Sequence, residues 1–419
     1  MVYDADMINL CSVGYKEIAG KHSCDCGTVH EFDVSCLLER GAFKQLPAFL
    51  STLTPLLSKV VVFYDDDALC NEVCGAIKRD YRVVAISADG DKGKVDNEQL
   101  PEDTKLVLAV GSAAAISSAK YKAHLCDLPV VVAALPDFTA LSPLCVLNDG
   151  GQMLSYVVNK PKAYIFDTEY PLSCGDKAQL YGQIAARLTS AFDYYVSALL
   201  GETGFCPFVM GGLSDIAAKT ILALDGASKQ SLWLSETLLT AALKQALVAS
   251  AAPVTRSGEI QCAMSYARLN GNEFLQGELQ FVFGAVLSSL YKKHLIRRRT
   301  FVSPPDNNYR LEQIASFFGT SEYRAVRMLE PQISGKQAGL IEYKLREYAP
   351  DLKEKLRRNV GLYKLAFRTF KRLHLDDGYA LSGLGADLSL CIALSPDIVK
   401  GNGMLTALKR LGDLDGYIG

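Results

Sequence analysis

Four groups of residues in this chain have types and spacings from which chemistry can be made. The first is AVGSAAAISSAKY (109–121), a strand-like run that ends in Gly111-Ser112 and enters a helix-like stretch. The first amides of a helix lack carbonyl partners and carry a partial positive charge, so such a turn can seat a diphosphate; a plain strand-to-helix turn reads the same way. The second is Asp65, at the end of KVVVFYD. A carboxylate there can accept hydrogen bonds from an adenosine ribose, or form a turn or a helix cap. The third is the C-x-C-x3-H piece Cys24, Cys26 and His30, with His22 close by. Thiolates and imidazoles are zinc ligands, but the spacing is not the usual C-x2-C, no second pair is obvious, and structural metal and redox readings both stand beside an inert one. The fourth is Glu259 with Glu278, readable as acid/base groups or as ordinary glutamates on helix surfaces.

The elements around these residues fall into two textures. Up to about residue 170, short β-branched runs (59–65, 82–87, 105–111, 128–135) alternate with helical stretches at Asp67–Arg79 and Ser112–Leu125. Fully apolar strands separated by helices indicate a parallel sheet covered on both faces, here a Rossmann-like α/β domain. Ahead of it, turn chemistry at Asp25–Gly27 between two short strand-like pieces predicts an N-terminal hairpin. A second hairpin is expected over 152–168, at the boundary. From about Ala178 onward apolar residues recur every three to four positions, as in GQIAARLTSAFDYYVSALL, which predicts amphipathic helices. The expected architecture is an α/β domain over 1–170 and an all-α domain over 171–419, with ligands bound in a cleft where they meet.

Composition narrows the function classes. The 44 Lys+Arg against 46 Asp+Glu give a net charge of -2, so no basic stripe is available for a nucleic-acid backbone. The Arg297–Arg299 run reads as a solvated helix end. No uncharged stretch reaches the roughly 18–20 residues of a membrane span, and the acidic start MVYDADMINL is unlike a signal peptide. These features predict a cytoplasmic chain. Most of the 12 cysteines sit singly in apolar runs, as small buried hydrophobes would in a reducing compartment. Oligomeric state is left open, a homo-oligomer included.

In order, the chain carries the CxCGxxH piece Cys24–His30, ERGAFKQLPAFL (39–50), AVGS…AKY, the ADTE-like Phe166–Glu169 and the GDxLAK-like Gly182–Arg187. The SGxEH-like Ser257–Gln261, the LHGE-like Leu275–Glu278 and MLTALKRLG (404–412) follow. Together these resemble the glycerol-1-phosphate dehydrogenase branch of the iron-containing alcohol dehydrogenase and dehydroquinate synthase superfamily, over nearly the whole chain. The resemblance implies the dehydroquinate-synthase-like fold and an NAD(P)-dependent oxidoreductase acting on a polyol phosphate such as glycerol 1-phosphate. It also implies a catalytic zinc or iron held by one Asp and two His. With that resemblance the candidate cofactor-lining residues are Asp65, Gly111, Ser112, Ala113, Ser117 and Lys120, Asp137 falls in the loop matching the family's substrate region, and Arg187 and Arg256 are further substrate-cleft candidates by their charge.

The departures from that pattern are chemical. The positions matching the three metal ligands are Gln183, Gln261 and Gln276, and neutral amides leave a divalent cation uncompensated. No histidine lies between His124 and His294 to replace them. The sequence therefore predicts that the family's zinc or iron is absent. Ala113 stands where a glycine lets the backbone approach the pyrophosphate, so NAD(P) is expected to bind weakly. The loop matching the family's SNDGFxSP reads Pro136–Pro143, with its acid displaced to Asp137 or replaced by Phe138. Three readings remain: a weak or inactive dehydrogenase, a non-catalytic ligand- or partner-binding relative, and metal-free chemistry on a small phosphorylated polyol or nucleotide using Lys120, Arg187 or Arg256.

Overall fold

The computed structural model describes residues 15–18, 20–150, 152–227, 232–250, 256–269, 276–296, 301, 305–318, 329–375, 387–399 and 401–414. Arg297–Arg299 lie outside this set. The chain divides into two compact units: one of residues 1–23, 28–172 and 235–253, and one of 24–27, 173–234 and 254–419.

The first unit opens with strands β1 (Gly20–Ser23) and β2 (Val29–Phe32), an antiparallel pair in which His22 faces His30. It continues through β3 (Ser35–Glu39), α1 (Ala42–Ser51), β4 (Lys59–Tyr64), α2 (Asp67–Ile77), β5 (Arg82–Ser87) and α3 (Lys92–Asn97). Then come β6 (Thr104–Val110), α4 (Ala113–Leu125), β7 (Val130–Val132), β8 (Leu144–Asp149), β9 (Gln152–Val157) and β10 (Ala163–Asp167). Six strands form a sheet in the order β3-β10-β7-β6-β4-β5, and every pairing in it is parallel. The run VVVF in β4 and every residue of β10 are buried, as expected when helices cover both faces.

One expectation needs correction. Residues 152–168 are not a hairpin: Gln152–Val157 pairs back with Leu144–Asp149, while Ala163–Asp167 enters the main sheet between β3 and β7. The unbroken apolar run AYIF was the signal, because a strand with one wet face would alternate.

The second unit is helical: α5 (Cys174–Leu200), α6 (Pro207–Leu224), α8 (Gly258–Leu269), α9 (Gln276–Ile296), α10 (Asn307–Phe318), α11 (Gly335–Glu347), α12 (Ala349–Arg372), α13 (Asp387–Ile398) and α14 (Met404–Arg410). Most of α7 (Leu232–Ser250) groups with the first unit, where Arg40 pairs with Glu236. Helix α6 is long and apolar enough to cross a membrane by length and composition, yet 56% of it is buried within the protein, as in a core helix. Helix α5 starts at a capping box between Ser173 and Asp176, and Gly201 ends it in the left-handed conformation. This places Gln183, Arg187, Ser190 and Asp193 on one rigid 27-residue rod. Gly182 and Gly277 let α5 and the start of α9 touch backbone to backbone, since a Cβ on Gly182 would lie 2.3 Å from the Gly277 carbonyl oxygen.

Candidate functional site

In the first unit, the candidate nucleotide turn lies where β6 enters α4. Gly111 has φ +125°, and a Cβ there would lie 1.8 Å from Asp65 Oδ1, so glycine is required by the close approach of that carboxylate. Asp65 Oδ1 accepts the Ser112 amide at 2.7 Å, and Oδ2 accepts the Ser112 hydroxyl and, at 3.4 Å, the Ala115 amide. The Ser112 side chain also caps the Ala114 amide. Asp65 therefore sits on the helix N-terminus where a diphosphate would be seated, rather than reaching outward for a ribose. Asp167, at the end of β10, does the same for α1, accepting the Gly41 and Phe43 amides at 3.0 and 3.3 Å. Both strand-tip acids are helix caps.

The remaining cofactor candidates are also engaged within the unit. Ser117 is buried, and its hydroxyl accepts the Val146 amide at 3.2 Å. Lys120 is only 1% exposed, and its ammonium donates to the carbonyls of Thr139, Ser142 and Leu144 at 2.8, 2.8 and 2.6 Å. Burial holds the Lys120 pKa down, at about 8. This lysine clamps the 139–144 loop, its ammonium spent on three backbone carbonyls rather than turned to an open phosphate seat. Asp137 accepts the Thr139 amide at 2.9 Å and shapes the same loop as an Asx turn. Ala113 is exposed at the first position of α4.

In the second unit, Gln183, Gln261 and Gln276 lie on α5, α8 and α9. Gln183 and Gln276 adjoin the touching glycines Gly182 and Gly277, and the Gly277 amide donates to Gln179 Oε1 at 2.6 Å. Gln261 is fully buried, and its amide donates to the Val399 carbonyl at 2.6 Å. A Cβ on Gly401 would lie 2.7 Å from Gln261 Cδ, so the carboxamide is packed against that glycine. The Arg187 Nε donates to the Gln183 carbonyl at 3.1 Å, and its Nη2 donates to Gln280 Oε1. Arg256 is largely buried, and its pKa is held down by that burial.

Glu259 and Glu278 are both buried, which corrects their reading as helix-surface residues. Glu259 Oε1 accepts the hydroxyls of Ser257, at 2.6 Å, and Ser190. Nearby, Asp193 accepts the Gly258 and Met404 amides at 2.7 and 2.9 Å, joining α5, α8 and α14. Burial, and then the Glu259 carboxyl, push Asp193 up to about 8; burial raises Glu259 too, opposed by Arg187 and the two serines. Asp193 has no chemical partner in the sequence motifs and was missed by them. Its only signal was an acid in the middle of an otherwise apolar helical stretch.

The glutamine set does not fit a catalytic zinc or iron. Its three donors are neutral amides that leave the double charge uncompensated; Gln261 Nε2 is bonded to the Val399 carbonyl and its buried Oε1 has no hydrogen-bond partner, but that oxygen is a poor ligand beside a carboxylate or an imidazole.

No family model and no curated protein matches the sequence. Solved structures do match in fold. Maleylacetate reductase from Rhizobium sp. strain MTP-10005 is 15% identical with TM-score 0.56, covering 91% of this chain and 95% of that one. A probable glycerol dehydrogenase from Sinorhizobium meliloti 1021 is 14% identical with TM-score 0.57, covering 92% and 97%. An iron-containing alcohol dehydrogenase from Thermotoga maritima is 13% identical with TM-score 0.55, covering 93% and 99%. A parallel six-stranded α/β unit followed by a helical unit, aligned over nine-tenths of the chain with these structures, gives this protein the dehydroquinate-synthase-like fold of the iron-containing alcohol dehydrogenases.

Proposed function

We propose that this chain is a non-catalytic relative of the NAD(P)-dependent polyol-phosphate dehydrogenases, of the glycerol-1-phosphate dehydrogenase-like type. In this reading it has lost metal-assisted hydride transfer and keeps the fold as a weak binder of a nucleotide or a small phosphorylated molecule. The observation that carries the reading is Gln261. In the family pattern this position supplies an imidazole to the metal; here a buried carboxamide is bonded to the Val399 carbonyl and packed on Gly401. In relatives with the full ligand set the metal would polarise the substrate carbonyl and stabilise the alkoxide. The carboxamide nitrogen is spent on that carbonyl, and the buried Oε1 that is left is a neutral donor which brings none of the charge a divalent metal needs.

The cofactor side of the reading rests on Asp65. A dinucleotide that places its diphosphate on α4 must displace or repel a carboxylate already bonded to Ser112 and Ala115. Calorimetric titration of NADH into the natural protein and into Asp65→Asn tests this. The expected result is weak binding that tightens about tenfold in the variant, an electrostatic gain of about 1.4 kcal/mol at a helix N-terminus. If Asp65 held the ribose, the variant would bind more weakly, and tight binding by the natural protein would return the chain to the working dehydrogenases.

A further inference from the structure

We propose that Cys24, Cys26, His30 and Cys206 form a structural zinc site built on the 24–27 turn and on the residue that precedes α6, which group in the same unit, with His30 supplied four residues after Cys26. The ligand atoms of these four residues lie within 4.8 Å of one another, and the Cys24 and Cys206 sulfurs are 3.7 Å apart. In a tetrahedral zinc site with Zn–S bonds of about 2.3 Å, neighbouring sulfurs are about 3.8 Å apart, whereas a disulfide would bring them to about 2 Å. Local geometry supplies the rest. Gly27 adopts φ +79° and its amide donates to the Cys24 carbonyl at 2.9 Å, closing a Cys-x-Cys-Gly turn that holds both hairpin thiols together. Cys206 is the N-cap residue of α6, ahead of Pro207, so its position is fixed by the start of a long helix.

Cys24 and Cys26 are half-buried, and His30 and Cys206 are buried. Three thiolates and one imidazole complete a tetrahedron with protein ligands alone, leaving no position for substrate, as in structural rather than catalytic zinc. On binding, the three thiols give up three protons to solvent and four metal–ligand bonds form. With a neutral imidazole the centre carries one net negative charge, so affinity falls as acid returns the protons. This site is separate from the glutamine positions, and its failure would leave the proposed function untouched.

The test is metal analysis of the full chain purified under reducing conditions, followed by replacement of zinc with cobalt(II). One zinc per chain is expected. The cobalt form should show the intense visible bands of a tetrahedral centre and, in addition, thiolate-to-metal charge-transfer absorption, which ligands of the carboxamide, carboxylate or imidazole type do not give. The double variant Cys24→Ser/Cys206→Ser should lose both the metal and the bands. His30→Cys should keep the metal with a spectrum shifted toward four thiolates, and Cys126→Ser, at an exposed thiol elsewhere, should change nothing. The spectra of the natural chain decide the matter even if a variant fails to fold. Reduced natural protein that takes up no zinc or cobalt, cobalt bound without charge-transfer bands, or metal retained in the double variant would overturn the assignment.

Discussion

Several residues that look chemical in the sequence are committed to the protein's own backbone. Lys120 is the clearest case. Its position at the end of AVGS…AKY invites a phosphate-binding role, yet its ammonium lies under the 139–144 loop and donates to three carbonyls. Lys120→Met keeps the stem's volume and strands those acceptors, at about 1–3 kcal/mol for each one left unpaired. The expected outcome is a large drop in the denaturation midpoint, with any NADH affinity of the folded fraction unchanged. Intact stability with lost NADH affinity would instead mark Lys120 as a ligand-binding residue. Asp65 follows the same logic, and sequence could not decide it. An acid at a strand tip is equally suited to a ribose and to a helix cap, and only the 1.8 Å approach that excludes a side chain at Gly111 separates the two.

At the scale of elements, α5, α8 and α14 are joined through a buried acid. Asp193 accepts one amide from the start of α8 and one from the start of α14, beside the carboxyl of Glu259. An unfolded aspartate loses its proton near pH 4, whereas in the folded chain burial and Glu259 hold it to about pH 8. Between those limits the folded state binds more protons than the unfolded one, so stability is full at the acid end and falls as pH rises toward 8. Denaturant midpoints measured from pH 5 to 8 should fall in the natural protein, by on the order of a few kcal/mol of stability. Asp193→Asn should be weaker overall but flatter across the same range. A natural protein whose midpoint rises with pH would show that the two amide donors outweigh burial and that Asp193 is ionised.

For the molecule as a whole, the layered order was legible because the strands announce themselves as short unbroken apolar runs. β4, β5, β6 and α4 fall within a residue or two of where periodicity places them. The 152–168 segment was misread because Lys160-Pro161-Lys162 looks like a hairpin turn, and only its pairing partners, Leu144–Asp149 on one side and β3 and β7 on the other, divide it correctly. The thiol cluster was half legible: Cys24, Cys26 and His30 share one motif, but Cys206 is 182 residues from Cys24 and enters only through the fold. That glutamines stand at the positions resembling the family's metal ligands was legible, because it is a matter of residue type. What the structure adds is that Gln261 is built into the packing.

That claim meets its most direct test in turnover. NADH oxidation with dihydroxyacetone phosphate should be followed for the natural protein supplied with zinc or iron, with Gln261→Ala alongside. Neither protein should show metal-dependent oxidation above the blank, and the two should not differ. Turnover by the natural protein that requires added metal and disappears in Gln261→Ala would contradict it, and would make that glutamine a ligand after all.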